Sequence, residues 1–242
     1  MEFKNYSEFH IFQDGLMEFG IELTDRQYQQ FIDFYELLIE KNKVMNLTTI
    51  TELKEVINKH FLDSLSIVKV IKFTDQKVLD LGTGAGFPGI PLKILYPDID
   101  LVLLDSLNKR LIFLDEVIQK LQLKKTITLH GRAEDYGNNI TYREQFDLCV
   151  SRAVAKLSSL SEYCLPFVKK GGFFIPYKSG KVDDEIEASE NALKILGAQQ
   201  DSIGEFKIPG TDIERTLIVI RKIAITPKKY PRDAGKPSKE PL

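Results

Sequence analysis

The stretch Val78-Leu79-Asp80-Leu81-Gly82-Thr83-Gly84-Ala85-Gly86-Phe87-Pro88-Gly89 restricts the fold of this chain more than any other. An apolar run ends in a turn holding four glycines, and the chain resumes as Ile90-Pro91-Leu92. Glycines at such a turn admit positive φ angles and let a ligand lie directly against the backbone. They do so at the carboxyl end of a first strand, where an open α/β sheet binds its ligands. Pro88 and Pro91 suit the first turn of the helix that follows, and Pro97 marks its end.

The chain around this turn alternates short apolar runs with amphipathic stretches, the pattern of βα units around a parallel sheet. Seven strands are expected, at residues 77–81, 100–104, 126–130, 146–150, 172–177, 203–208 (weak) and 215–221. Leu111, Leu114, Ile118 and Leu121 share one helix face, and Leu157, Leu160, Cys164 and Phe167 repeat that spacing after the fourth strand. Four βα repeats and a closing hairpin fit a Rossmann-like, seven-stranded methyltransferase sheet better than a symmetric dinucleotide fold. Upstream, Thr24 and Gln27 form a capping-box pattern, with Tyr28, Phe31, Tyr35 and Leu38 in one stripe, and a second helical segment is expected at 54–70. The chain therefore divides into an N-terminal helical extension (1–73), an α/β domain that binds S-adenosyl-L-methionine (74–226) and a basic C-terminal arm (227–242) packing on that domain.

Gly84 to Gly89 formally matches G-x-G-x-x-G, so a NAD(P)-dependent oxidoreductase is the alternative. In that fingerprint the first glycine directly follows the strand. Here that residue is Gly82, and counting from it puts Phe87 where the third glycine belongs. Asp80 also suits a cofactor carrying an amino group and a sulfonium better than one carrying a pyrophosphate. Asp105 closes the second strand, placed to accept hydrogen bonds from ribose hydroxyls or to cap the next helix. Tyr177 and Lys181 formally match the Tyr-x-x-x-Lys pair of short-chain dehydrogenases, but they sit at a strand exit interrupted by Gly180 and not on a helix. Ser151-Arg152-Ala153-Val154 stands where enzymes that methylate exocyclic amines place an Asp/Asn-Pro-Pro-aromatic clamp, which favours a nucleophile with no proton to lose.

The net charge is −2, but from Arg221 onward seven basic residues face two acidic ones. That segment carries +5 on a body of −7, a site for an anionic partner such as nucleic acid or a solvated tail. Cys149 and Cys164 fall in apolar segments and read as core. No apolar run is long enough to span a bilayer and Met1 to Tyr6 carries no signal-peptide pattern, so a cytoplasmic protein with no membrane and no obligate protein partner is expected.

Several motifs then resemble one family along nearly the whole chain. They are Asn46-Leu47-Thr48-Thr49-Ile50, His60-Phe61-Leu62-Asp63-Ser64-Leu65, the Gly82 to Gly89 turn with Ile90-Pro91-Leu92, and Asp105-Ser106 with Lys109-Arg110. Gly131-Arg132-Ala133-Glu134, Ser151-Arg152-Ala153-Val154-Ala155 and Tyr230-Pro231-Arg232-Asp233-Ala234-Gly235 complete the set. The chain resembles the RsmG (GidB) methyltransferases, which in bacteria methylate N7 of a guanosine in small-subunit (16S) ribosomal RNA. The resemblance implies cofactor contacts from Gly82, Gly84, Phe87, Asp105, Ser106, Ala133, Glu134 and Arg152. It makes the helix carrying His60 a lid over that site, although His60 and Asp63 at i, i+3 also read as a structural pair. The substrate that the resemblance implies is 16S ribosomal RNA, as naked RNA or within the small subunit.

Guanine N7 needs no general base, so positioning dominates. Arg152, Tyr177 and Phe87 are the candidates to hold the base, with Arg152, Tyr177 and Lys178 as the catalytic set. His60, Lys178, Arg215, Lys228, Lys229 and Arg232 are the candidates to hold RNA. A module that keeps the fold and has lost activity is the remaining alternative, and the intact turn and Asp105 argue against it.

Overall fold

The computed structural model describes residues 9–152 and 155–242; Ala153, Val154 and the first eight residues lie outside it. Seven strands form one sheet: β1 (Lys77–Leu81), β2 (Asp100–Asp105), β3 (Thr126–His130), β4 (Phe146–Ser151), β5 (Val168–Lys178), β6 (Ala198–Lys207) and β7 (Glu214–Lys222). Their order is β3-β2-β1-β4-β5-β7-β6. The first five pair in parallel, whereas β7 runs antiparallel to both β5 and β6. An antiparallel strand inserted beside β5 separates this sheet from the symmetric dinucleotide-binding order, as the closing hairpin predicts. The order reverses between β1 and β4, so a crevice is expected outside their carboxyl ends.

Successive residues of each central strand serve opposite faces. In β1, Val78 joins one apolar cluster and Leu79 the other; in β4, Leu148 and Val150 join the first and Cys149 the second. The first cluster is covered by α1 (Phe9–Glu18), α2 (Asp25–Met45), α5 (Gly89–Leu95) and α6 (Asn108–Lys120). Between α2 and β1 runs a continuous helical segment, α3 (Leu53–Val56), a π-helical turn Ile57–Leu62, α4 (Asp63–Leu65) and a 3-10 turn Ser66–Lys69. The N-terminal helices do not form a core of their own. Phe12, Phe31, Phe34 and Phe61 share one with Val78, Leu103 and Leu114, and Phe34 stands 5.2 Å from the Phe87 ring of the glycine turn. The Thr24–Gln27 capping box forms as expected.

The second face is covered by α8 (Leu157–Cys164) and α10 (Glu190–Leu196), which follow the short helices α7 (Ala133–Gly137) and, for α10, α9 (Asp183–Glu187). Both cysteines are buried there as free thiols. The arm packs on this same face, irregular apart from α11 (Lys236–Lys239). Arg143 donates to the carbonyls of Tyr230 and Thr226, and the fully buried Lys222 is held by Glu144, Leu165, Val168 and Thr226. Among the described residues no helix is long and apolar enough to cross a membrane.

Candidate functional site

The carboxyl edge of the sheet carries two neighbouring hollows. The first, of about 570 Å³, lies over β1, β2 and β3 and is lined by Gly82, Asp105, Ser106, Ala133, Glu134 and Tyr163, among others. Gly235 and Ser238 of the arm close its far wall. The second, of about 440 Å³, lies over β4, β5 and β7 and is lined by Arg152, Lys156, Tyr177, Lys178, Glu185 and Arg215, with Ala155 and Ser179.

The glycine turn is held shut by carboxylates. Gly82 and Gly84 adopt φ angles of 73° and 61°, the left-handed region that favours glycine. Asp80, with no exposed surface, accepts from Thr83 Oγ1 at 2.6 Å and from the Gly89 N–H at 2.8 Å. A Cβ on Gly89 would come within 2.7 Å of that same carboxylate oxygen. Burial pushes the Asp80 carboxyl up to about 6, against the pull of those two donors. Asp80 thus shapes the turn from beneath and does not itself reach the hollow.

Asp105 performs a similar task from the next strand. Its Oδ2 accepts from the Gly84 N–H at 2.9 Å and its Oδ1 from the Leu107 N–H at 2.9 Å, while Arg110 pairs with it at 3.2 Å. The helix that follows is capped by Leu107, so Asp105 is not its N-cap residue. Four more turn amides are also bound within the protein: Gly82 and Thr83 donate to Leu104, and Gly86 and Phe87 to Thr83. A pyrophosphate would need such amides free and would meet the Asp105 and Glu134 carboxylates instead. That set of acceptors suits ribose hydroxyls and an ammonium group, and the hollow is of the size small-molecule sites occupy, roughly 300–1,000 Å³. The residues present therefore fit S-adenosyl-L-methionine, and they do not fit a nicotinamide dinucleotide.

Of the eight expected cofactor residues, Gly82, Asp105, Ser106, Ala133 and Glu134 meet in this hollow. Gly84 supports it from behind through its bond to Asp105. Phe87 does not enter it. Its ring is 4% exposed, stacked on His60 at 4.3 Å between centroids and lying 5.3 Å from the Arg152 guanidinium. It is packed within the protein, where a base could not reach it. Arg152 sits in the second hollow, at the end of β4 beside the order reversal.

The lid expected around His60 is a fixed wall. Arg152 donates to the Lys59 carbonyl at 2.9 Å, to Asp63 Oδ2 at 2.8 Å and to His60 Nδ1 at 3.1 Å, and Arg215 donates from Nε to Asp63 Oδ1 at 2.5 Å. With Nδ1 accepting, His60 Nε2–H donates to Thr48 Oγ1 at 3.1 Å. Burial, then the Arg152 charge, hold the imidazole down to about 3, so it stays neutral. The i, i+3 pairing of His60 with Asp63 does not form; the π-helical turn splays the two side chains apart, and Arg152 joins them instead.

Tyr177 is 3% exposed and gives its hydroxyl to the Ser64 carbonyl at 2.7 Å. Burial pushes that phenol well up, so it remains protonated and acts as a wall, not as a free stacking plane. Lys178 donates to the Ala155 carbonyl at 2.6 Å and to Glu185 at 2.7 Å. Arg232 departs from the expectation of an RNA contact. Its guanidinium and backbone N–H grip the fully buried Glu162, with Nη2 to Oε2 at 2.6 Å, so it anchors the arm. Lys228 and Lys229 remain exposed. Glu162, Glu185 and the closing role of Gly235 and Ser238 escape sequence reasoning, although a glutamate within the apolar spacing of α8 is a visible signal for the first.

Comparison with known proteins agrees with this geometry. The pattern of the family described as "GidB: rRNA small subunit methyltransferase G" matches residues 27–218. The ribosomal RNA small subunit methyltransferase G of Lachnoclostridium phytofermentans is 57% identical over 232 residues, covering 96% of each chain. That of Acetivibrio thermocellus is 52% identical, covering 95% of this chain and 94% of its own. Among solved structures, M. jannaschii TYW2 in complex with AdoMet superimposes with a TM-score of 0.55 at 15% identity, over 72% of this chain and 80% of that one, and so shows the shared fold. The chain belongs to the rRNA small subunit methyltransferase G family.

Proposed function

We infer that this protein transfers a methyl group from S-adenosyl-L-methionine to N7 of a guanosine in small-subunit (16S) ribosomal RNA, as a cytoplasmic enzyme acting on naked RNA or on the small subunit. The observation that carries this reading is a hollow over β1 to β3 holding the Asp105 and Glu134 carboxylates, and a mainly cationic hollow over β4 to β7, on either side of the point where the strand order reverses. When bound, the cofactor supplies an electrophilic methyl group. Asp105 and Ser106 would hold its ribose, Glu134 and Ala133 would contact it from the same hollow, and Gly82 would let it approach the backbone.

The chain has little proton chemistry to perform. N7 carries no proton, so the reaction asks for alignment and exclusion of water. Arg152, fixed on three acceptors, stands in the second hollow with a set orientation, and Arg215 is fixed by the same carboxylate. Lys228 and Lys229 offer charge to RNA phosphates, and Lys178 offers a donor to the RNA within the second hollow. The test is to incubate the protein with trideuteromethyl-labelled cofactor and small-subunit RNA from a strain lacking its gene. Nucleoside mass spectrometry should find 7-methylguanosine three mass units heavy; label on another atom, or none, overturns the reading.

A further inference from the structure

The second hollow pairs Lys178 with Glu185, a carboxylate that the methyl transfer itself does not use. Glu185, on α9, accepts from the Leu157 N–H at 2.7 Å and from Lys178 Nζ at 2.7 Å. Both bonds fall on Oε1; among the described residues Oε2 receives none. Lys178 spends its second donor on the Ala155 carbonyl at 2.6 Å, and its own carbonyl accepts from Arg215 Nη1 at 3.0 Å. An ammonium carries three donors, so one N–H is left beside the open carboxylate oxygen. The side chains are 10% and 31% exposed and both line the hollow, so their geometry is set before any ligand arrives.

We propose that Lys178 and Glu185 read the Watson–Crick edge of the target base and so select guanine. That edge presents, in order, the O6 acceptor, the N1–H donor and the N2 amino donor. A lysine N–H beside a carboxylate presents the complement: the ammonium donates to O6 and the open Glu185 Oε2 accepts from N1–H and N2–H. Adenine reverses the first two groups, setting an amino donor against the ammonium and an unprotonated N1 against the carboxylate, which repels it and leaves buried groups unpaired. Recognition through this edge also leaves N7 uncovered, which the reaction requires. Glu185 is thus a specificity-determining residue, and this assignment rests on the guanine-N7 reading above.

The experiment uses small-subunit RNA assembled by splinted ligation with guanosine or inosine at the methylated position. Inosine keeps N7, O6 and N1–H and lacks only the N2 amino group. The wild-type protein should methylate the inosine RNA with kcat/KM about ten- to a hundredfold lower, the effect of losing one hydrogen bond to a charged acceptor. Glu185→Gln should lower kcat/KM for the guanosine RNA by a similar factor while bringing the two RNAs within about twofold of each other. Its affinity for S-adenosylhomocysteine should be unchanged. A residue that merely braces the loop would slow both RNAs and preserve the gap between them. Equal methylation of both by the wild-type protein overturns the proposal, with no variant needed, as does a Gln variant that keeps the gap. A wild-type protein that methylates N7 in neither RNA instead overturns the functional reading on which the proposal rests.

Discussion

Arg152, the residue directly after β4, places Nη1 2.8 Å from Oδ2 of Asp63 on the N-terminal helical layer. The carboxylate is 1% exposed and its other oxygen takes Arg215, so one buried charge fastens the helices to two strand ends. Removing it leaves two guanidiniums facing a site with no counter-charge. Asp63→Asn should therefore cost about 3–5 kcal/mol of unfolding free energy. Urea denaturation followed by circular dichroism checks this. A loss under 1 kcal/mol would mean that the arginines relax into solvent and the wall around the second hollow is soft.

His60 gives the protein a pH dependence of defined sign. Its folded imidazole is held to about 3, below its ordinary 6.5, so the folded state binds the proton less readily than the unfolded chain. The stability it contributes is fully present above pH 6.5 and is lost as pH falls toward 3, at up to about 1.4 kcal/mol per pH unit. Asp80, raised from 3.8 to about 6, works in the opposite direction: its folded form prefers the proton, and stability falls as pH rises between those values. Comparison with His60→Gln isolates the imidazole. Between pH 6.5 and 5 the two opposing effects largely cancel in the wild type, whereas the variant keeps only the Asp80 effect, so its urea midpoint should rise relative to the wild type's as pH falls; parallel profiles would show that His60 titrates normally.

The parts of this fold that could be read from the sequence are those fixed by local patterns. The glycine turn, the capping box at Thr24 and the alternating βα units depend on neighbours in the chain, and each forms as expected. The edge strand β6 starts at Ala198, ahead of the 203–208 expected, because Gln199, Gln200, Asp201 and Ser202 are exposed on an edge strand and leave no apolar alternation to detect. β5 likewise begins at Val168, before its glycines, although strand was expected only from 172. The site divides in the same way. Residues at the ends of β1, β2 and β3 follow from topology, whereas the carboxylate partners of Arg152, Arg215 and Arg232 lie 70 to 152 positions away. A charge count could not distinguish Arg232, gripping a buried glutamate, from the exposed Lys228 and Lys229.

That distinction separates two variants of the arm. Lys228→Gln with Lys229→Gln removes two free charges, so the salt slope of RNA binding should fall by about 1.4–1.8 units, at roughly 0.7–0.9 per phosphate contact, with stability unchanged. Arg232→Ala leaves Glu162 buried with the backbone N–H of residue 232 but without its cation, and should cost about 3–5 kcal/mol. Because Gly235 and Ser238 wall the first hollow, it should also weaken cofactor binding. Titrations at several salt concentrations, with thermal melts, check both. An unchanged slope in the double lysine variant would leave the arm as a structural strap and place RNA recognition around Lys178.

Asp105→Ala should weaken S-adenosyl-L-methionine by about 1–3 kcal/mol, the effect of taking a charged acceptor from ribose hydroxyls. The Gly84 amide loses its partner in the same substitution, so the turn should loosen while the sheet persists. Far-ultraviolet circular dichroism of the variant establishes the second point and fluorescence titration the first. An unaltered dissociation constant in a folded variant would reduce Asp105 to a brace for the turn.

The central claim is that the turn from Gly82 to Gly89, with six of its amides bound within the protein, presents a hollow holding the Asp105 and Glu134 carboxylates for a cationic nucleoside and no cradle for a pyrophosphate. Isothermal calorimetry of the wild-type protein with S-adenosyl-L-methionine, S-adenosylhomocysteine and NAD in parallel tests it most directly. The account predicts one-to-one binding of the first two and no heat of binding from NAD. Saturable binding of NAD with none of either S-adenosyl ligand would contradict it.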